Sequence, residues 1–171
     1  PDPGEVVWAW MPYEEDHTQG KDRPVLVIAR HPELEDVVLA LPLTSKDHDR
    51  DAAQEARAGR HWMDVGSGAW DNRGRRSEVR LDRVLQLDVT SVRREGSHID
   101  EQTFDAVIAA DEQRRSAIGA FETARAEQKA ASKELGPLMG RLKKAEKAGE
   151  DVTQFEAEAA ALRDKGAAMS A

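Results

Sequence analysis

The segment Gly20-Lys21-Asp22-Arg23-Pro24-Val25-Leu26-Val27-Ile28 sets an arginine at the mouth of an apolar run, and Leu41-Pro42-Leu43-Thr44-Ser45 ends the next such run in two hydroxyls. As neighbouring strands of one small sheet, the two runs deliver Arg23, Thr44 and Ser45 to the same rim. That trio suits chemistry on a phosphate ester. A guanidinium is always charged, grips phosphate oxygens through a planar fork and can stabilise charge in a phosphorane-like transition state. A Thr or Ser hydroxyl can donate to a non-bridging oxygen. None of the three is a base at neutral pH, which leaves the proton acceptor open. A plainer reading stands beside this one: Arg23 caps a strand end against Asp22 or Asp36, and Thr44 makes a turn.

An imidazole is the side chain best suited to proton transfer near neutral pH, and His17, in the loop before the Arg23 strand, is a candidate for it; the alternative is a solvent-facing loop side chain. Trp62, Trp70, Arg73, Arg75 and Arg76 gather around Gly66-Ser67-Gly68 and Gly74. Single-stranded RNA is held by stacking of bases on aromatic faces with arginines on phosphates, so Trp70 and the three arginines are candidate RNA contacts. Alternatively, Trp62 is core and the arginines pair with Asp64, Asp71 and Asp82. Trp8 and Trp10 alternate with Ala9 and are expected in the core. Asp47-His48-Asp49 and His61-Trp62-Met63-Asp64 lack the spacing of a metal site, and the first is read as part of a mobile polar loop. No metal and no cofactor is expected.

The chain has 171 residues, enough for one domain or for a small domain with an appendage. It has no Cys, hence no disulfide framework or thiol nucleophile. No apolar run reaches the ~18 residues of a membrane span, and no basic-then-apolar leader is present. The sequence opens at Pro1, which is read as a trimmed start, and a cytoplasmic setting is expected. Charge is uneven: residues 1–110 hold 14 Lys/Arg against 22 Asp/Glu, and residues 111–171 hold 11 against 11. An acidic domain that binds RNA needs a local basic cluster, because affinity for nucleic acid is largely phosphate neutralisation.

Composition also divides the elements. Short β-rich runs at Glu5–Met11, Pro24–Arg30, Val37–Leu43, His61–Val65, Glu78–Leu81 and Val84–Leu87 predict an antiparallel barrel, since no helices alternate with them. Lys46–Gly59 reads as a mobile loop. Asp100 is a candidate N-cap for a helix through Phe104, Val107 and Ile108. The helical pattern continues to about Lys133, and Gly136-Pro137 is its first strong punctuation. Ala148-Gly149-Glu150-Asp151 reads as a turn. Beyond it, Val152, Phe155, Ala159, Leu162 and Met169 follow the spacing of a coiled-coil seam. Folding back would set Phe155 near Leu142, Ala159 near Leu138 or Met139, and Leu162 near Leu135. Ile118 and Phe121 would then lack partners, so the hairpin reads as cut short or covered by a second copy.

Pro3-Gly4-Glu5-Val6-Val7-Trp8, the Arg23 strand, Val37–Leu43 with Thr44-Ser45, and Ser77-Glu78-Val79-Arg80-Leu81-Asp82-Arg83-Val84 resemble, in order, the strands of MazF/PemK toxins over about residues 3–108. The resemblance implies an SH3-like barrel with a C-terminal helix in residues 1–108 that acts as a homodimer. It implies a toxin of a toxin–antitoxin system, a metal-independent endoribonuclease cutting single-stranded RNA to a 2′,3′-cyclic phosphate and a 5′-hydroxyl. Arg23 and Thr44 would be catalytic, with Ser45 in support, and a cognate antitoxin would occupy the RNA groove. The competing expectation is the same barrel as a non-catalytic RNA- or protein-binding module.

Asp111-Glu112-Gln113-Arg114-Arg115 and Ala124–Gly136, which ends in Ser132-Lys133-Glu134-Leu135-Gly136, resemble the helical tRNA-binding arm of bacterial seryl-tRNA synthetases. Residues 109–171 would form a truncated form of that hairpin, and an engineered fusion is one origin the abrupt composition change suggests. The expected whole is mainly β plus α: a barrel, a long helix, then an antiparallel helical hairpin.

Overall fold

The structure is a computed structural model that describes residues 1–13, 15–48 and 51–168. Seven strands come first: β1 (Glu5–Pro12), β2 (Gly20–Arg30), β3 (Val37–Thr44), β4 (Trp62–Gly66), β5 (Ser77–Arg80), β6 (Leu85–Asp88) and β7 (Arg93–His98), with a short helix α1 (Ala52–Arg57) between β3 and β4. Two helices follow, α2 (Glu101–Ala148) and α3 (Thr153–Ala168). The chain separates into compact units at Pro1–Glu112 and Gln113–Ala171, a boundary that falls within α2.

All strand pairs are antiparallel, in the order β4-β5-β3-β2-β1-β7, and β6 also pairs with β3. β3 is the hub. Its first half pairs with β6 (Val37↔Asp88 to Ala40↔Leu85), and its end pairs with β5 (Leu43↔Val79, Thr44↔Glu78). Side chains alternate between faces along a strand, and both faces of the central strands are covered. Val7, Ala9, Val25, Val27, Val38 and Ala40 pack on one side with Leu85 and Leu87. Val6, Leu26, Leu41, Leu43, Val79, Trp70 and Val107 pack on the other, with Phe104 of α2 against them. Burying a Val or Leu side chain this fully contributes about 1.5–3 kcal/mol. Asp100 caps α2 as expected, accepting from the Thr103 backbone N–H at 2.9 Å.

Several expectations change. Lys46–Gly59 contains helix α1, and Asp49 and Arg50 lie outside the described residues. β7, Arg-Arg-Glu-Gly-Ser-His, carries almost no apolar signal and pairs with β1 along the sheet's edge. Trp10 is 52% exposed and Trp8 half-buried, because β1 buries Val7, Ala9 and Met11 on the face opposite to them. The Trp8 ring instead lies under the Arg93 guanidinium, 5.4 Å from centroid to carbon.

Within residues 113–171, α2 passes through Gly136-Pro137 without a break. Proline there deletes the hydrogen bond to the Lys133 carbonyl, a cost of about 3 kcal/mol in a helix interior. Burial of Leu138, Leu142, Ala145 and Ala159 offsets it. The expected turn is present, with Gly149 at φ +70 and Asp151 accepting from the Thr153 N–H at 3.0 Å to start α3. Arg141 lies over the Phe155 ring and Arg163 reaches the Met139 sulfur at 3.4 Å, consistent with the expected fold-back. Met169 lies outside the described residues. Among the described residues no helix is long and apolar enough to cross a membrane.

Glu5 is buried at the start of β1 and accepts two hydrogen bonds of 2.8 Å from Arg94 of β7. The Arg94 hydrogen bonds lower its carboxyl below the ordinary 4.5, against the opposing effect of burial. A carboxyl lowered in the folded state adds stability above its unfolded value, and that stability is lost as pH falls through the folded value. Glu5→Gln should therefore lower unfolding free energy by about 1–3 kcal/mol at pH 7. In urea melts the gap from wild type should close as pH falls below 4.5.

Candidate functional site

A cleft of about 670 Å³ opens across the ends of β1, β2 and β3 and the start of β4. Gly20 allows the first two strands to approach at its rim: a Cβ there would sit 2.2 Å from the Met11 carbonyl oxygen and 2.7 Å from the Trp10 ring. Lys21 and Arg23 follow on β2, with Arg23 opposite Ala9 in the register. Thr44 ends β3, and Ser45, Lys46 and His48 continue along the wall. Arg23, Thr44 and Ser45 thus line one cleft, with Arg75 among the other lining residues.

Seven Lys or Arg side chains line the cleft (Lys21, Arg23, Lys46, Arg60, Arg75, Arg80 and Arg83) against the carboxylates of Glu15 and Glu55. In a chain of net charge −8, this is a local reversal of sign. Four of the arginines are engaged. Arg60 reaches Glu55 at 3.4 Å, Arg75 reaches Asp71 at 2.9 Å, Arg80 reaches Asp82 at 2.8 Å, and Arg83 donates to the Pro12 carbonyl at 3.5 Å. Lys21, Arg23 and Lys46 meet no carboxylate among the described residues. Asp22, one expected clasp for Arg23, pairs with Arg93 at 3.1 Å instead. The Thr44 hydroxyl oxygen accepts from the Lys46 backbone N–H at 3.2 Å, so the turn reading is correct, and its proton remains available to donate. Low-dielectric walls lined by one sign of charge concentrate the opposite charge. The arrangement can hold an anion.

The other expected site residues lie elsewhere. His17 sits exposed at the tip of the β1–β2 turn, which Asp16 organises by accepting from the Thr18 N–H at 3.0 Å and from Gln19 Nε2 at 3.0 Å. It does not line the cleft. Trp70 is a core residue, 4% exposed, packed on Gly68 and donating its indole N–H to Ser77 at 3.1 Å. Arg76 is bound to Asp64 at 2.6 Å and Arg73 is exposed; neither lines the cleft. The arginine–aspartate pairing reading therefore accounts for Arg75 and Arg76, whereas Asp82 is held by Arg80.

Sequence reasoning passed over His48. It is buried, not part of a solvated loop: its ring Nδ1 lies 2.9 Å from Glu78 Oε2, and its backbone N–H donates to Oε1 at 3.1 Å. The ring stacks on Trp62 at 4.0 Å with 2° between planes. Trp62 in turn donates its indole N–H to Glu55 at 3.0 Å. That donation, with help from Arg60, lowers the Glu55 carboxyl below its ordinary value. The missed signal was the pairing of one His with a Glu 30 residues later. Among the described residues, no three His, Asp or Glu side chains converge to hold a metal ion.

Replacing Trp70 by Ala should cost about 3–5 kcal/mol of stability in denaturant melts, the expected price of an emptied aromatic site. An exposed stacking residue would cost almost nothing.

Residues 90–171 match the seryl-tRNA synthetase N-terminal domain. No curated protein matches the chain. Among solved structures it is similar to MazF of Deinococcus radiodurans, with 21% identity over 68% of this chain and 96% of that one and a TM-score of 0.49. A MazE–MazF complex of the same organism gives 21% identity, the same coverage and a TM-score of 0.48. Residues 2–110, more than half of the chain, match the family of the PemK-like, MazF-like toxins, and the chain belongs to that family of type II toxin–antitoxin systems.

Proposed function

We propose that this toxin is an endoribonuclease that cleaves single-stranded RNA in the cleft beside β3, without a resident metal ion. The observation that carries the reading is Arg23, free of any carboxylate among the described residues and lining one open cleft with Thr44 and Ser45. In this reading Arg23 stabilises the charge that builds on the phosphate as the 2′-oxygen attacks. Thr44 donates to a non-bridging oxygen, with Ser45 beside it. Lys21 and Lys46 hold flanking phosphates. The products would be a 2′,3′-cyclic phosphate and a 5′-hydroxyl.

The same cleft is where an antitoxin segment would compete with RNA, and the family's type II systems supply such a protein partner. The toxin is read as a cytoplasmic homodimer. The barrel of residues 1–108 and the helical hairpin of residues 109–171 are read as separate domains, which the compact units at Pro1–Glu112 and Gln113–Ala171 support. The acidic balance of residues 1–110 favours a second reading, a barrel that binds RNA or protein without cutting it.

Incubation of single-stranded RNA with purified protein in EDTA separates the two. The nuclease reading expects cleavage, reduced about 10²–10³-fold or more in Arg23→Ala, the usual loss of a transition-state donor; intact RNA at high protein concentration supports the binding module. A non-cleavable 2′-deoxy oligonucleotide should bind with an affinity that falls as salt rises. Lys46→Ala should flatten the log–log slope by about 0.7, the value for one phosphate contact on a single strand.

A further inference from the structure

The proposed cleavage needs a group that removes the 2′-hydroxyl proton, and Arg23, Thr44 and Ser45 provide none. Of the described residues lining the cleft, His48 is the one imidazole. We infer that His48 is the catalytic base of this site and that Glu78 is its positioning residue, an inference that rests on the nuclease reading above.

The geometry is that of a braced imidazole. A carboxylate only accepts hydrogen bonds, so the 2.9 Å contact between Nδ1 and Glu78 Oε2 fixes the ring proton on Nδ1. In the neutral ring the lone pair then belongs to Nε2, the tautomer a base requires. The other Glu78 oxygen takes the His48 backbone N–H at 3.1 Å, so one carboxylate holds both the ring and the chain that carries it. Trp62 fixes the ring plane by parallel stacking at 4.0 Å. Glu78 is itself held in β5, opposite Thr44 in the register, so the brace for the base and the phosphate-positioning hydroxyl come from paired residues. Among the described residues, charged groups near the ring include Glu78 from β5, Glu55 from α1, which interacts with His48 and is itself paired with Arg60, and Arg80, whose guanidinium lies 5.8 Å from the centroid of the Trp62 ring.

In the step, Nε2 accepts the proton of the ribose 2′-hydroxyl. The 2′-oxygen's electron pair forms the new bond to phosphorus. The bond from phosphorus to the 5′-oxygen breaks with its pair on that oxygen, which takes a proton from water. The imidazolium returns its proton to the resulting hydroxide or to solvent. Nothing is oxidised or reduced, and no co-reactant is consumed.

The test compares wild type, His48→Gln, Glu78→Gln and Arg23→Ala in single-turnover cleavage of one RNA oligonucleotide across pH 5–8, alongside binding of its 2′-deoxy analogue and thermal melts. A general base contributes about 10²–10⁴-fold. His48→Gln should lose that much in rate, bind the analogue as wild type does, and lack the limb of the wild-type profile that rises with pH. Glu78→Gln, which can still accept from Nδ1, should lose about 10-fold and displace that limb, a change no purely structural role predicts. Should His48→Gln fail to fold, the displaced limb in Glu78→Gln carries the decision, and an undisplaced limb overturns the proposal. Near-wild-type cleavage by His48→Gln while Arg23→Ala is inert overturns it and leaves the nuclease reading standing. Inert wild type overturns both.

Discussion

The pairing of Leu43 with Val79 and of Thr44 with Glu78 is the contact on which the site depends. β3 spends its first half against β6 and then leaves it for β5, so its last residue projects beyond the sheet's covered middle. That departure opens the cleft. It also sets Thr44 on its rim and brings the Glu78 carboxylate under the chain that follows Ser45. Strand registers are fixed modulo two. A slip of one residue would turn Glu78 to the opposite face and bring Leu43 and Val79 out of the core, where both are at most 1% exposed. The core thus enforces the register that the polar residues need.

A second constraint is the way the acidic surplus is spent. Asp2, Glu5, Asp22, Asp64, Asp71 and Asp82 each hold an arginine. Apart from the buried Glu5 and the mostly buried Asp71 and Asp82, these pairs lie largely at the surface and contribute only about 0–1 kcal/mol each, so they matter less to stability than to which cations in the cleft stay unpaired. Among the described residues that line the cleft, Lys21, Arg23 and Lys46 meet no carboxylate. Like charges lining one cleft favour an anion among them.

How much of this was legible depended on sequence distance. β1 to β6 and the cap at Asp100 announce themselves through alternation and local turn chemistry, which a short window contains. Arg23 and Thr44 stand out in the sequence because one opens an apolar run and the other closes one. β7 was not, since Arg-Arg-Glu-Gly-Ser-His is held by backbone pairing and by Arg94 on Glu5, which lies 89 residues away. His48 looked like loop because Asp47 and Asp49 flank it, and its partner comes from a different strand. Trp10 and Trp70 exchanged their expected places for one reason: an aromatic ring reads the same in a core and on a surface, and only the alternation of its neighbours against the whole sheet decides. Pro137 misled less than it could have, because the packing of Leu138 and Leu142 outweighs one missing hydrogen bond.

The nuclease reading requires a phosphate backbone in the cleft, and backbone-amide chemical shifts of the full chain titrated with a 2′-deoxy oligonucleotide read that position directly. The largest changes should fall at Lys21–Arg23 and Thr44–His48. Changes confined to β7 or to the helical residues 113–168, with the cleft amides unmoved, would contradict it.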